Sequence, residues 1–334
     1  MWCQSVAKKH TLQGQILSFK LGIFESIPDS FLKNLQEVVE TVDLVGKEVY
    51  LIENEVDEMD GVLIKSTIRV NEDFLNVYKN LRVVIRAGTG LDNIDLDLLA
   101  RRGVRLISAP AANAESTAEF VLLQILCLTR NMFQAIESVR SRNFNRDVLM
   151  GVDLQTQTIG IIGFGNVGQI LARKLNLFGV NVLCSDHDLS KREVAEKCGA
   201  TFYEQLGDLL ELSDVISLNA SLNEFSRDLL GPGEFAQMKR GVKIVNSARA
   251  SLINNRALLE ALESGIVASC AVDVLDPEPP FYNPLEMTQY AHTLLDHPAV
   301  FVTPHIGAST EQAQNKIGRE IVAALTAYLG KQSK

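Results

Sequence analysis

The stretch TIGIIGFGNVGQ, residues 158–169, constrains this chain more than any other. An apolar run suited to a buried strand meets Gly163, Gly165 and Gly168 in G-x-G-x-x-G spacing, and an amphipathic helical pattern follows at once. A strand that turns directly into a helix needs a parallel neighbour and a crossover, so this region reads as α/β. Gly163 allows the tight turn, Gly165 lets the backbone approach a pyrophosphate, and Gly168 lets the helix pack closely on the strand. The helix opens at Asn166 and Val167, where backbone N–H groups and a partial positive charge suit phosphate. The next apolar run ends in Cys184-Ser185-Asp186. Asp186, 18 residues past Gly168, can accept hydrogen bonds from ribose hydroxyls and would repel a 2′-phosphate, so the expected cofactor is NAD rather than NADP.

The alternation extends in both directions. Strands are expected at 158–162, 180–184, 215–218, 243–246, 268–272 and 300–302, with helices over 167–177, 191–198, 206–212, 232–238 and 256–264. That pattern is a doubly wound sheet of roughly six strands. Upstream, residues 15–24 read as a strand, Pro28 opens a helix through 38, and short strands follow near 49–52, 62–64 and 83–85. Helical patterns lie around 71–78 and 95–102. Residues 114–140, apolar and free of Gly and Pro, read as one continuous helix suited to crossing between domains or packing on a second subunit. A last striped helix covers 310–329. A chain of 334 residues exceeds one typical core, so two domains are expected.

A net charge of −9 argues against general attraction to nucleic acid or an acidic membrane surface, while leaving room for a local basic pocket. Cys3, Cys127, Cys184, Cys198 and Cys270 form no C-x-x-C pair and no zinc-spaced cluster, so no metal is expected. Scattered thiols, the lack of an 18-residue apolar run and an N-terminus unlike a signal peptide make the expected location cytoplasmic. Residues 1–14 read as a polar, partly disordered extension.

Three ionisable residues fall beyond expected strands, at the edge where parallel sheets bind ligands. Arg249 closes KIVNSAR, Glu278 lies in AVDVLDPEP, and His305 closes FVTPH. Oxidising an alcohol by hydride loss needs a base for the hydroxyl proton, a cation for the polarised oxygen or carboxylate, and a group that tunes the base. His305, Arg249 and Glu278 suit these tasks in that order. Each also has a plainer reading, His305 as a loop residue and Glu278 as a solvated acid between prolines, and spacing alone leaves both readings open.

The segments GFGNVGQ…SDHD, NSARASLINNRALLEAL, AVDVLDPEPP and TPHIGAST, in this order over about 300 residues, resemble the D-isomer-specific 2-hydroxyacid dehydrogenases. The resemblance implies that Arg249, Glu278 and His305 are the catalytic residues. It implies an α/β fold of two Rossmann-like (doubly wound parallel sheet) domains with a cleft between them that closes on ligand. The substrate-binding domain would be discontinuous, residues 15–111 and 307–334, around an NAD-binding domain over 112–306. Thr89, Ser247, Ala248, Asp273, Gly307 and Ala308 match cofactor contacts, as does Ala220. Pairing of NAD domains across a two-fold axis near 114–140 would give a homodimer or a dimer of dimers.

Within the family, RAGTGLDNIDL (86–96) is most typical of the branch that handles a phosphorylated three-carbon hydroxy acid. Backbone N–H groups near Gly88, Thr89 and Gly90 would hold the substrate carboxylate, and Lys65, Arg69 and Arg86 the phosphate. The plainer reading is three solvated cations. Several features depart from the family: Asn166 stands where an arginine is common, Asn219-Ala220-Ser221 replaces a His-x-Pro type segment, Ala111-Ala112-Asn113 alters the crossover, and 281–299 is longer and different. The chain stops soon after its last helix, so no C-terminal serine-sensing domain is expected. The alternatives are reduction of glyoxylate, hydroxypyruvate or another unphosphorylated acid, and an NAD(H)-sensing binding protein like the corepressors that share this fold.

Overall fold

The computed structural model describes residues 19–47, 58–279 and 290–332. The chain divides into two compact units, Met1–Asn113 with Glu311–Lys334, and Ala114–Thr310. The expected 1–14 extension and the 49–52 strand lie outside the described residues, as do residues 15–18.

The first unit contains β1 (Lys20–Ile23), α1 (Asp29–Gln36), β2 (Glu40–Asp43), β3 (Gly61–Ile64), α2 (Glu72–Val77), β4 (Val83–Arg86), α3 (Leu96–Arg102) and β5 (Arg105–Ser108). The strands form one parallel sheet in the order β2-β1-β3-β4-β5. The GVLI of β3 and VVIR of β4 are buried along their whole length, as central parallel strands covered on both faces must be. Helix starts follow local chemistry: the Asn71 side chain accepts from Phe74 N at 3.0 Å, and Asp95 accepts from Leu98 N at 2.8 Å. β2 and β5 are absent from the sequence reading. Both are edge strands, ETVD and RLIS, only partly buried, so neither has the apolar run that marks an inner strand.

The second unit opens with α4 (Ala114–Thr129) and α5 (Met132–Arg140). The continuous helix expected over 114–140 is therefore broken. Asn131 adopts a left-handed φ of +50°, and its side-chain amide donates to Met150 O at 2.9 Å. The Thr129 carbonyl, freed from the helix, accepts from Val152 N at 2.9 Å. Asparagine is, after glycine, the residue that most readily ends a helix in this conformation. No residue of α5 is buried. Met132, Ile136 and Val139 are exposed on it, and Phe144, Val148 and Met150 are exposed just beyond.

Then come β6 (Thr158–Ile162), α6 (Asn166–Asn176), β7 (Asn181–Ser185), α7 (Lys191–Lys197), β8 (Thr201–Phe202), α8 (Leu206–Leu212), β9 (Val215–Leu218), α9 (Pro232–Ala236), β10 (Val242–Asn246), α10 (Asn255–Glu263), β11 (Val267–Val272) and β12 (Val300–Val302). The sheet is parallel, in the order β12-β11-β10-β9-β6-β7-β8. It has seven strands rather than the roughly six expected, because β8 pairs only two residues with β7. α6 buries Gly168, Leu171, Ala172 and Leu175, the i, i+3, i+4, i+7 face of an amphipathic helix. Each leucine sealed there is worth about 1.5–3 kcal/mol relative to exposure.

The chain returns through α11 (Glu311–Gln332), which belongs to the first unit. Its Ile317, Ile321, Leu325 and Leu329 join Phe31, Leu35 and Ile107 in one core. Among the described residues no helix is long and apolar enough to cross a membrane, and no group of His, Cys, Asp or Glu could hold a metal ion.

Candidate active site and cofactor loop

The order of strands in the second unit reverses direction between β6 and β9, and doubly wound sheets bind ligands at such a point. The glycine loop leaves β6 there. Gly163 has φ +90°, and a Cβ on it would lie 2.5 Å from the Ala220 backbone nitrogen that follows β9. Only glycine fits a turn that is both left-handed and this close to another backbone. Gly165 is the N-cap of α6 and makes no side-chain cap, and the space where its Cβ would stand is empty. The first turn of α6 thus presents uncapped N–H groups to open space, which fits a pyrophosphate. Asn166 and Val167 form that turn, with Asn166 exposed.

Asp186 follows β7. One carboxylate oxygen accepts from Phe164 N at 2.6 Å and the other from Asp188 N at 2.9 Å. The first bond fastens the acid to the glycine loop. The exposed His187 ring lies 3.1 Å from the same carboxylate. The residues present therefore fit a dinucleotide: an uncapped helix end, a glycine turn and an acid tied to that turn.

Arg249, Glu278 and His305 sit on the loops that leave β10, β11 and β12 in turn, three adjacent strands. His305 Nδ1 and Glu278 Oε1 are 2.5 Å apart, and both side chains are about one quarter exposed (26% and 25%). A cavity of about 190 Å³ opens onto this pair, lined also by Asp273, Tyr290, Leu295 and Thr303. Arg249 begins the 3-10 turn Ala250–Leu252, and its guanidinium donates to Ala248 O at 2.7 Å. The buried Asn246 holds that loop from within, accepting from Ala248 N at 3.1 Å and donating to Arg249 O at 2.9 Å.

Asp273 is the buried centre of the arrangement. Its carboxylate accepts from Thr303 Oγ1 at 2.6 Å, Ile306 N at 2.9 Å and Gly307 N at 2.7 Å. Burial pushes its carboxyl upward, and these three hydrogen bonds and the His305 charge oppose that shift. His305 itself has φ +54°, a left-handed backbone that costs of order 1–3 kcal/mol unless its surroundings enforce it. The bonds from Asp273 to the next two amides are that enforcement. Of the other residues matched to cofactor contacts, the Ser247 hydroxyl donates to Gln124 of α4 at 2.7 Å, Gly307 is buried beside Asp273, and Ala220 and Ala308 are half-buried.

The first unit has its own reversal of strand order, between β1 and β3. Glu25 follows β1, Lys65 follows β3 and Arg86 ends β4. Glu25 and Arg86 are buried, at 2% and 7% exposure. The Glu25 carboxylate accepts the Lys65 backbone N–H. Burial lowers the Lys65 pKa below the ordinary lysine value, with Glu25 opposing and Arg86 adding to the effect. Asn93 ties the loop down, its amide donating to Lys65 O at 2.9 Å and Ile68 O at 2.6 Å. Arg69 is exposed on that loop. The Gly88 amide donates to Arg86 O at 2.8 Å, Thr89 Oγ1 donates to Asn113 Oδ1 at 2.5 Å, and Gly90 is half-buried. Glu25, Asn93 and Asn246 have no place in the sequence reading. The partners of Glu25 and Asn93 become visible only once the strands are side by side, whereas Asn246 bonds its near neighbours Ala248 and Arg249.

Comparison with known proteins agrees with this geometry. Residues 122–307 match the family model described as "D-isomer specific 2-hydroxyacid dehydrogenase, NAD binding domain". Curated relatives include a D-3-phosphoglycerate dehydrogenase of Bacillus subtilis, 39% identical over 86% of this chain and 53% of its own length. The chain spans about half the length of the phosphoglycerate dehydrogenases it matches. A hydroxypyruvate reductase of Thermotoga maritima is 33% identical over 90% of this chain and 94% of its own length. Among solved structures, a D-lactate dehydrogenase from Aquifex aeolicus complexed with NAD and lactic acid superposes with a TM-score of 0.82 at 26% identity, covering 93% of this chain and 96% of that one. Two parallel α/β sheets, with a glycine loop at a switch point of the second, are the architecture of D-2-hydroxyacid dehydrogenase structures. The chain belongs to the D-isomer-specific 2-hydroxyacid dehydrogenase family.

Proposed function

We propose that the chain oxidises a small D-2-hydroxy acid with NAD, and that its substrate is 3-phosphoglycerate, converted to 3-phosphohydroxypyruvate as in serine biosynthesis. The observation that carries the dehydrogenase reading is the 2.5 Å contact of His305 with Glu278 above an open cavity. NAD, when bound, supplies the hydride acceptor. His305 takes the proton of the C2 hydroxyl through Nε2, while Glu278 holds Nδ1 and stabilises the imidazolium that forms. Arg249 binds the carboxylate by two hydrogen bonds. In the reverse direction the same imidazolium protonates the carbonyl oxygen. The second unit serves as the NAD-binding domain and the first as the substrate-binding domain.

Phosphate recognition is assigned to Lys65 and Arg86, with Arg69 as a further cation. Buried Glu25 beside them favours a second reading, a hydroxypyruvate or glyoxylate reductase, because its negative charge offsets part of the positive charge of buried Arg86 and half-buried Lys65. Steady-state assays with 3-phosphoglycerate, glycerate, hydroxypyruvate and glyoxylate decide between the two. Under the first reading, Arg86→Ala raises KM for the phosphorylated acid about ten- to a hundred-fold, the value of a lost charge-assisted contact, and leaves the others nearly unchanged. Wild-type KM for the phosphorylated acid in that variant would hand the lead to the second reading.

Asp186 makes NAD strongly preferred over NADP, because a 2′-phosphate would meet its carboxylate. kcat/KM with each cofactor measures the preference. Asp186→Ala narrows the ratio, and equal efficiency in the wild type would remove this role from Asp186.

The exposed apolar run from Met132 to Met150 is a candidate for self-association, as a homodimer or a dimer of dimers. Light scattering at micromolar concentration should give at least twice the 36.8 kDa chain mass, and Phe144→Lys with Met150→Lys should halve it. A monomeric wild type refutes the assembly.

A further inference from the structure

The long segment before β12, which the sequence reading sets apart as unusual, re-enters the described structure at Tyr290. Tyr290 lines the same cavity as Glu278 and His305. Its hydroxyl donates to the Pro277 carbonyl at 2.6 Å. Pro277 immediately precedes Glu278, so this bond fixes the peptide plane from which Glu278 departs. On its far side the Tyr290 ring stacks on His292, centroids 6.5 Å apart and planes 14° from parallel. His292 in turn caps the 3-10 turn Thr293–Asp296 by accepting from Leu294 N at 3.3 Å. A second tether holds the same segment from the other direction, Ser251 Oγ donating to Asp276 Oδ2 at 2.7 Å. Ser251 belongs to the turn that Arg249 begins.

We propose that Tyr290 is a positioning residue for the Glu278–His305 pair, acting through its hydrogen bond to the Pro277 carbonyl. The inference rests on the dehydrogenase reading for its kinetic consequence and on geometry alone for its structural one. Burial and the Asp276 and Glu278 carboxylates push the Tyr290 phenol upward, so it remains a protonated donor across the working range. Among the described residues, His292 also stands against the ring. A tyrosine that merely filled space would be replaced without loss by phenylalanine, which keeps the ring and deletes only the donor.

The test is Tyr290→Phe in the full chain, read in two ways. The first is the pH dependence of kcat and KM for NAD-linked oxidation. The second is the Cε1–H proton resonance of His305 at fixed pH, assigned by its disappearance in His305→Ala. Loss of one neutral hydrogen bond predicts a fall in kcat of roughly two- to ten-fold with little change in KM. It also predicts a displaced acidic limb of the rate profile and a moved His305 resonance. A Tyr290→Phe protein with the wild-type limb and an unmoved resonance overturns the proposal. A wild type that turns over none of the four acids would sink the dehydrogenase reading, and the resonance comparison would still decide whether Tyr290 positions the pair.

Discussion

His305→Ala should lower kcat by about 10²–10⁴-fold while leaving NAD affinity intact, the range that one positioned proton acceptor supplies. Three structural features make His305 that acceptor. His305 stands at the C-terminal end of a parallel strand, its Nδ1 is committed to Glu278, and its side chain opens onto a cavity. With Nδ1 engaged, Nε2 is the nitrogen left for substrate. The loss falls on kcat because the proton moves only in the transition state. Glu278→Gln should give a smaller loss with a distinct signature. The imidazolium forfeits its anionic partner, so the acidic limb of the oxidation profile moves to lower pH. Stopped-flow and steady-state kinetics with NAD would measure both. A His305→Ala enzyme within ten-fold of wild type would mean that another group carries the proton.

Asp273→Ala should be the most destabilising single change near the site. It leaves Ile306 N, Gly307 N and the Thr303 hydroxyl without their acceptor. A buried donor left unsatisfied costs about 1–3 kcal/mol; the Gly307 bond is buried and the other two are part-buried, so a total of roughly 3 kcal/mol is expected. For a unit of nearly 200 residues that corresponds to about 6–12 °C in Tm. The left-handed turn at His305 loses its brace in the same step, so activity falls further than unfolding at assay temperature explains. Asp273→Asn should lie between, since an amide oxygen can replace one acceptor but its NH₂ faces a donor. Circular dichroism melts settle the matter, and a Tm shift below about 2 °C for the alanine variant would show that the three bonds do little.

The parts of this site that are legible in the sequence are those whose chemistry is local. Gly163, Gly165 and Gly168 act through the backbone of one turn, and Arg249, Glu278 and His305 each lie on a loop that follows a recognisable apolar strand. What escapes the sequence is held by distant partners. Glu25 meets Lys65 across 40 positions, Asp273 meets Gly307 across 34, and Ser247 meets Gln124 across 123. No periodicity encodes such pairings, because strand order decides them. The break between α4 and α5 is a different failure. Asn131 is a visible stop signal, but the apolar stripe around it is strong enough to hide a single polar residue. β2, β5 and β8 fail for a third reason: short edge strands bury too little to leave a pattern.

The core formed by α1, β5 and α11 also sets an order of events during synthesis. Phe31 and Leu35 emerge from the ribosome long before Ile317, Ile321 and Leu325, their partners in the finished core. The whole of Ala114–Thr310 is made in between. At typical translation rates of about 5–20 residues per second, the first sheet waits roughly 10–40 s for the helix that seals it. During that interval its apolar face is bare, and the second unit is itself being made, its own chain complete only at the end of the wait. A nascent chain stalled before residue 311 would therefore present a finished nucleotide-binding unit tethered to an unfinished one, and the unfinished one is where chaperones would bind.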